Sequence, residues 1–153
     1  MKTHGIRISD TANNVLTVSL SDILEEISSS SLLQWSILFV DGTLKSKQGK
    51  SLNEYEAIIN KSENGLRISL NELKLISDSF CQMYETIVLG CKDVNLLRRY
   101  KSEKEMYLAC DVVIDLIDCV FWEVYSKDLD FIQKLKGKFK DTEMIAPIRE
   151  SRS

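Results

Sequence analysis

With 153 residues, 44% of them hydrophobic and 28% charged, the chain has the size and composition of one globular domain. A net charge of −3 and an isoelectric point near 5.3 argue against nucleic acid or an anionic membrane as the main partner and favour a basic protein. The chain carries one histidine, His4, and so has few groups for acid–base, nucleophilic or zinc chemistry. We therefore expect a binding protein that is not an enzyme and uses no cofactor.

Hydropathy also bears on the location of the protein. No stretch approaches the roughly 18 to 20 apolar residues that a membrane-spanning helix needs. Residues 1–14 lack the apolar core of a signal peptide. We expect a cytoplasmic protein that binds no membrane.

The first third of the chain predicts a polar lead, one short helix and a hairpin. Residues 1–14 form the lead, and a weak capping pattern at Ser19 predicts the helix. Trp35 to Val40 is rich in β-branched and aromatic residues and predicts a strand. Asp41-Gly42 is a hairpin signal, so we expect Thr43 to Ser46 to return as an edge strand.

Helices and strands alternate through the rest of the chain. Three capping boxes, in which a serine hydroxyl and a carboxylate three residues later satisfy free helical amides, predict helices beginning near Leu52, Leu70 and Glu103. Runs at Thr86 to Leu89 and Val120 to Tyr125 predict strands. We expect Asp93 and Asp128 to be helix N-caps, and the four cysteines, which lack metal-site spacing, to be small buried thiols.

The segment from Glu103 to Cys119 carries apolar residues at intervals of three and four, which predicts a long core helix. Asp111, Asp115 and Asp118 would then form one acidic row on its outer side. Three interpretations of this row stay open: a solvated helix face, a protein-binding surface, or a site for a divalent cation.

These elements predict the fold class and its limits. We expect an α+β fold, a predominantly helical single domain over residues 1–140 with five or six helices and a small three- to four-stranded β-sheet. Residues 141–153 lose the apolar periodicity and predict a mobile C-terminal tail.

Several short patterns across residues 33–140 resemble the immunity proteins of bacterial contact-dependent growth inhibition and related polymorphic toxin systems. The patterns are Trp35-Ser36-Ile37, Asp41-Gly42, Gly65-Leu66, Ile68-Ser69, Glu72-Leu73, Gly90-Cys91-Lys92-Asp93, Leu96, Arg99-Tyr100 and Trp122-Glu123-Val124-Tyr125-Ser126. The resemblance implies a non-enzymatic inhibitor that binds the C-terminal domain of one cognate toxin, commonly a nuclease.

The acidic charge of the chain is consistent with that implication, because a nuclease needs a basic cleft for phosphates. We expect Asp111, Asp115 and Asp118 to bind the toxin, with Glu25 and Glu26 as weaker candidates, and no residue to be catalytic or to ligate a metal. Two alternatives stay open: a cytosolic adaptor or regulatory protein unrelated to toxins, and a carboxylate-dependent metal hydrolase.

Overall fold

A computed structural model describes residues 2–28, 31–45 and 52–149. Its framework is a seven-stranded antiparallel sheet with the strand order β5-β4-β6-β7-β8-β1-β9, together with a separate two-stranded hairpin of β2 and β3. The strands are β1 Thr3–Ile8, β2 Thr11–Ala12, β3 Val15–Leu16, β4 Gln34–Leu44, β5 Leu66–Ile68, β6 Phe80–Cys91, β7 Val112–Ile117, β8 Phe121–Ser126 and β9 Thr142–Ile148.

The helices are short. They are α1 Leu20–Leu24, α2 Leu52–Lys61, α3 Leu70–Ser79, α4 Glu103–Ala109 and α5 Leu129–Lys138, with a 3₁₀ turn at Val94–Leu96. No helix in the described part of the chain is both long enough and apolar enough to cross a membrane.

The predicted balance of helix and strand is wrong. The fold is α+β, but it is built on seven paired strands, and it is not a predominantly helical domain with a small three- to four-stranded sheet. Strands β4, β7 and β8 are largely buried on both faces. Their sequences therefore lack the alternation of apolar and polar residues that marks a half-exposed strand.

The first face of the sheet forms the larger hydrophobic core. Alternate residues of the central strand β7, namely Val112, Ile114 and Leu116, point to this face. Helices α1, α3 and α5 pack on the same side through buried side chains such as Leu24, Leu73 and Leu135. Trp122 is 1% exposed here, and its indole N–H donates to the Val18 carbonyl at 2.8 Å.

The second face has a smaller core. Val113 of β7 and Tyr125 of β8 point to this side, where Met106 and Tyr107 of α4 and the preceding Leu97 pack against them. Helix α4 has seven residues, and at about 1.5 Å per residue it is too short to span seven strands. Helix α4 therefore covers only part of the second face.

The predicted core helix from Glu103 to Cys119 is wrong. Helix α4 ends at Ala109, Cys110 has an extended backbone (ψ 149°), and the chain continues as β7. The run Val112-Val113-Ile114 is β-branched and favours a strand. Because both faces of β7 are buried, its apolar residues also match the spacing of three and four that a helix would show.

The predicted hairpin at Asp41-Gly42 is also wrong. β4 continues through these residues to Leu44, pairing Asp41 with Glu85 and Thr43 with Gln82 across irregular register steps. A Cβ atom on Gly42 would lie 2.4 Å from the Gln82 carbonyl oxygen, so glycine serves the close approach of two strands and not a turn. Ser46, the last residue of the predicted return strand, lies outside the described residues.

Both ends of the chain carry more structure than expected. Residues 3–8, within the predicted polar lead 1–14, form β1, whose Ile6 and Ile8 are fully buried. Residues 142–148, within the predicted tail 141–153, form the edge strand β9 and pair with β1. The sheet thus extends past residue 140, and its partners come from opposite ends of the chain.

The predicted helix caps at described residues and three of the predicted strands are confirmed. Ser69 and Ser102 accept the expected backbone N–H at the start of α3 and α4, and Ser19, the weakest pattern, forms the complete reciprocal box with Asp22. Asp93 and Asp128 are N-caps, and the predicted strands near residues 35–40, 86–89 and 120–125 lie within β4, β6 and β8 apart from residue 120. The predicted cap at Ser51 lies outside the described residues.

A pair of glycine substitutions tests this packing. A Cβ atom on Gly90 would lie 2.8 Å from the Trp35 ring, so Gly90→Ala should destabilise the protein by about 1 to 3 kcal/mol. Nothing lies within 4 Å of the same position on Gly137 in α5, so Gly137→Ala should stabilise it by about 0.5 to 1 kcal/mol. Urea unfolding of both variants measures the difference, and a neutral Gly90→Ala would contradict the described β4–β6 contact.

Candidate functional site

The second face of the sheet carries a row of charged side chains. In the strand register, Asp115 of β7 lies opposite Glu123 of β8, Glu123 lies opposite Arg7 of β1, and Arg7 lies opposite Glu143 of β9. Directly opposite residues on neighbouring strands point to the same side of a sheet. The row therefore crosses four adjacent strands.

A second group of carboxylates extends the row towards β4. Asp41 lies opposite Glu85 of β6. Glu85 lies close enough to Asp118, in the turn between β7 and β8, to shift its own pKa, and Glu56 of α2 is similarly close to Asp41. Two carboxylates at such short range repel each other, which shows how densely the carboxylates are placed.

We call the combined surface the acidic face and define it by eight carboxylates. They belong to Asp41, Glu56, Glu85, Glu103, Asp115, Asp118, Glu123 and Glu143. It also contains the guanidinium of Arg7. The whole chain has a net charge of only −3, so the remaining surface is on balance positive.

Two stacked tyrosines hold the most buried carboxylates of the acidic face. The rings of Tyr107 and Tyr125 stack with their centroids 3.9 Å apart. The Tyr125 hydroxyl donates to Glu123 Oε1 at 2.9 Å, and the Tyr107 hydroxyl donates to Asp115 Oδ2 at a longer 3.4 Å. The stack thus fixes the orientation of carboxylates on two neighbouring strands.

One internal cation neutralises part of the row. The Arg7 guanidinium donates to Glu123 Oε2 at 2.7 Å and lies 4.4 Å from the centre of the Phe121 ring. The hydrogen bond to Glu123 raises the pKa of Arg7. Glu123 therefore has both a cation and a hydroxyl as partners, whereas Asp115 has the Tyr107 hydroxyl.

The environment of Asp115 opposes its ionisation. Its exposed fraction is 7%. Burial, together with the nearby Glu103, Glu123 and Glu85, raises the pKa of Asp115 to about 6, and the hydrogen bond from Tyr107 opposes the rise. Since the carboxylate is disfavoured in the folded state, Asp115 costs stability at neutral pH.

The same crowding affects the more exposed carboxyl groups. The hydrogen bond with Asp118, followed by burial, raises the pKa of Glu85. Burial, followed by the hydrogen bond with Asp41, raises the pKa of Glu56. Despite this density, no group of three or more histidine, cysteine or acidic side chains among the described residues is arranged to hold a metal ion.

The structure separates the five residues that the sequence predicts as a binding site. Asp115 and Asp118 belong to the acidic face, but on a strand and its turn and not on one side of a helix. Asp111 accepts the backbone N–H of Lys92 at 2.8 Å. Glu25 and Glu26 pair with Lys138 of α5 at 3.0 and 3.4 Å. The predicted helical row is therefore wrong, although two of its members lie in the acidic face.

Six carboxylates of the acidic face were not predicted as site residues. Asp41, Glu85 and Glu143 come from distant strands, and nothing local in the sequence brings them together. A usable signal exists at Asp115 and Glu123, each of which is the one charged residue within an otherwise apolar strand sequence, VVIDLI and FWEVYS. An isolated carboxylate in a buried strand is costly, and that cost indicates a role beyond folding.

Two surface cavities are formed largely by other residues. One, of about 540 Å³, lies between the end of α1 and the start of α5, and Glu26, Asp111, Lys127 and Phe131 line it. The other, of about 380 Å³, lies beside the β2–β3 hairpin. The carboxylate of Asp111 accepts a backbone N–H and that of Glu26 pairs with Lys138. These cavities therefore offer fewer carboxylates to a basic partner than the acidic face does.

No protein-family model, curated protein or solved structure matches this chain. The resemblance to immunity proteins stays a prediction. The residues of the acidic face are therefore the basis for any inference about function.

The pH dependence of stability tests the state of Asp115. Because its folded pKa of about 6 exceeds its ordinary value of 3.8, ionisation removes up to about 3 kcal/mol of stability as pH rises from 4 to 6. Asp115→Asn cannot ionise and keeps an acceptor for Tyr107. We expect this variant to melt at a higher temperature than the parent at pH 7.5, with the difference disappearing near pH 4.

The control is Glu63→Gln, which removes one charge from an exposed position outside the acidic face. It should change the melting temperature by a similar small amount at both pH values. A higher stability of Asp115→Asn that does not depend on pH would contradict the ionisation of a buried carboxylate.

Proposed function

We propose that this protein is an immunity protein, which binds and neutralises a cognate toxin domain by placing its acidic face over the basic active-site cleft of the toxin. A nuclease is the expected class of toxin, because its cleft must carry cations for phosphate groups. In this role the protein catalyses no reaction. It inhibits by occupying the surface that the nucleic acid would use.

The observation that carries the proposal is the concentration of carboxylates on the second face of the sheet. Asp115 is 7% exposed and Glu123 is 8% exposed, and they lie directly opposite each other on neighbouring strands. Like charges in this arrangement destabilise a sheet. A partner that supplies cations would remove this repulsion in the complex. Binding would therefore account for an arrangement that is unfavourable in the free protein.

Electrostatic complementarity would act first on the rate of encounter. Opposite fields steer partners together and raise association rates by about 10- to 1,000-fold over uncharged surfaces. An interface of ordinary size covers about 800 Å² on each partner. The acidic face crosses six strands of the sheet, β4, β6, β7, β8, β1 and β9.

Asp115 and Glu123 would serve as the buried centre of the interface. The tyrosine stack already orients both carboxylates, so little side-chain entropy is lost when a cation binds them. A toxin arginine or lysine beside Asp115 would favour its ionised form and lower its pKa. Complex formation below pH 7 would then release a proton.

Neutralising the acidic face should slow association with the toxin. The variant Asp41→Asn, Glu85→Gln, Asp118→Asn removes three charges at partly or fully exposed positions and relieves repulsion, so it should fold at least as stably as the parent. We expect its association rate with the toxin domain encoded by the neighbouring gene to fall about tenfold at low salt and to depend less on salt. Stopped-flow fluorescence measures both effects.

A matched control uses the predicted residues that lie outside the acidic face. The variant Glu25→Gln, Glu26→Gln, Asp111→Asn also removes three charges and should associate like the parent, apart from a small effect of net charge. If both variants associate equally slowly, the effect comes from net charge alone, and the acidic face is not part of the interface.

Co-expression with the neighbouring toxin gives the biological result. Cells should survive with the parent protein and with the control variant. If the unmodified protein neither binds nor protects against the toxin, the immunity function is wrong, and an adaptor that binds another basic protein becomes the better interpretation.

A further inference from the structure

A pair of buried cysteines lies on the second face beside the end of α4. Cys91 ends β6, and Cys110 is the C-cap of α4. If the β6–β7 register is extended by one residue, Asp111, which follows Cys110, lies opposite Cys91. Both thiols are in the smaller core, with exposed fractions of 0% and 1%, where each is close enough to the other to shift its pKa. The prediction of buried thiols is right for this pair, whereas Cys81 is exposed and Cys119 is half-buried.

Polar groups surround the sulfur of Cys110. It lies 3.8 Å from the Tyr100 hydroxyl and 3.9 Å from the Leu96 carbonyl oxygen. The ammonium group of Lys127 is held on the neighbouring Ala109 carbonyl at 3.1 Å. In this arrangement the Cys110 thiol donates to both oxygens, and the Tyr100 hydroxyl itself donates to the Leu96 carbonyl at 2.7 Å. The nearby positive charge of Lys127 is the feature that stabilises a thiolate.

The two thiols differ in their tendency to ionise. The hydrogen bond from Cys91 lowers the pKa of Cys110, with Tyr100 and Lys127 acting in the same direction and burial opposing them. The same contact, together with burial, raises the pKa of Cys91. Cys110 is therefore the thiol that ionises first, and Cys91 is placed to react with it afterwards.

We propose that Cys91 and Cys110 form an oxidation site, at which hydrogen peroxide converts the two thiols into a reversible disulfide. The Cys110 thiolate attacks one peroxide oxygen, the O–O bond breaks, and the departing hydroxide becomes water, which leaves Cys110 as a sulfenic acid. Cys91 then loses its proton and attacks the Cys110 sulfur, the S–O bond breaks, and a second water leaves. The two thiols give up two electrons and two protons, and one peroxide becomes two waters.

Access to the thiols depends on the segment at residues 97–102, which has no helix or strand and places Leu97 and Tyr100 in the same core as the pair. Arg99 fastens this segment to the end of α2, donating to the Ile59 carbonyl at 2.9 Å and the Ser62 carbonyl at 3.3 Å. Opening of the segment is the step that would admit peroxide, so Arg99 controls the rate.

The experiment uses the full chain in a Cys81→Ser, Cys119→Ser background, which leaves only the proposed pair. After treatment with hydrogen peroxide, intact mass should fall by two hydrogen atoms, and dithiothreitol should restore it. Trypsin cleaves after Lys92 and Lys104 and so places the two cysteines in separate peptides, which should be recovered joined by a disulfide.

Single variants in this background test the order of the steps. Cys91→Ala should stop the reaction at a sulfenic acid on Cys110, which dimedone traps, whereas Cys110→Ala should leave Cys91 largely unreacted. Arg99→Ala should accelerate disulfide formation several-fold, while Lys101→Ala, an exposed neighbour, should not. Circular dichroism confirms that each variant is folded.

Two results would overturn the proposal. In one, both thiols resist peroxide in the folded protein and react only in denaturant. In the other, Cys110 is oxidised to sulfenic or sulfinic acid with Cys91 present and no disulfide is recovered.

Discussion

Coverage of the sheet is the constraint on which the rest of this structure depends. A sheet of seven strands has two faces, and each must be covered by other elements or be compatible with water. Helices α1, α3 and α5 cover the first face and form the larger core. Helix α4, with seven residues, covers only part of the second. On the second face, the strands that continue past α4 carry carboxylates. On the first face the same strands carry isoleucine, leucine and tryptophan.

Helix α4 supports both features that we connect with function. On one side Tyr107 stacks on Tyr125 and orients the buried carboxylates. At its end Cys110 joins the thiol pair with Cys91. Its backbone is also fastened to β1, because the Thr3 hydroxyl donates to the Tyr107 carbonyl at 3.1 Å. A change at the thiol pair would therefore act on the same helix that positions Tyr107 and Glu103.

Local chemistry determines how much of the fold can be predicted from the sequence. The starts of α3 and α4 are predictable because a serine and the residues just after it satisfy the first amides of a helix. The strand β7 is not, because a strand buried on both faces and a core helix contain the same apolar residues. The acidic face is predicted only at Asp115 and Asp118, because its other members meet through pairing of distant strands.

The placement of β1 has a consequence for how the chain folds during synthesis. β1 lies between β8 and β9, so residues 3–8 find both partners only after residue 148 has been made. Before β8 is made, Ile6 and Ile8, which are fully buried in the finished sheet, have no neighbouring strand to pair with. Pairing between sequence-distant strands closes slowly and leaves apolar segments open to aggregation. A ribosome-bound chain would thus hold β1 unpaired until residues 121–126 have been made, a period in which a chaperone that shields short apolar segments would be most useful.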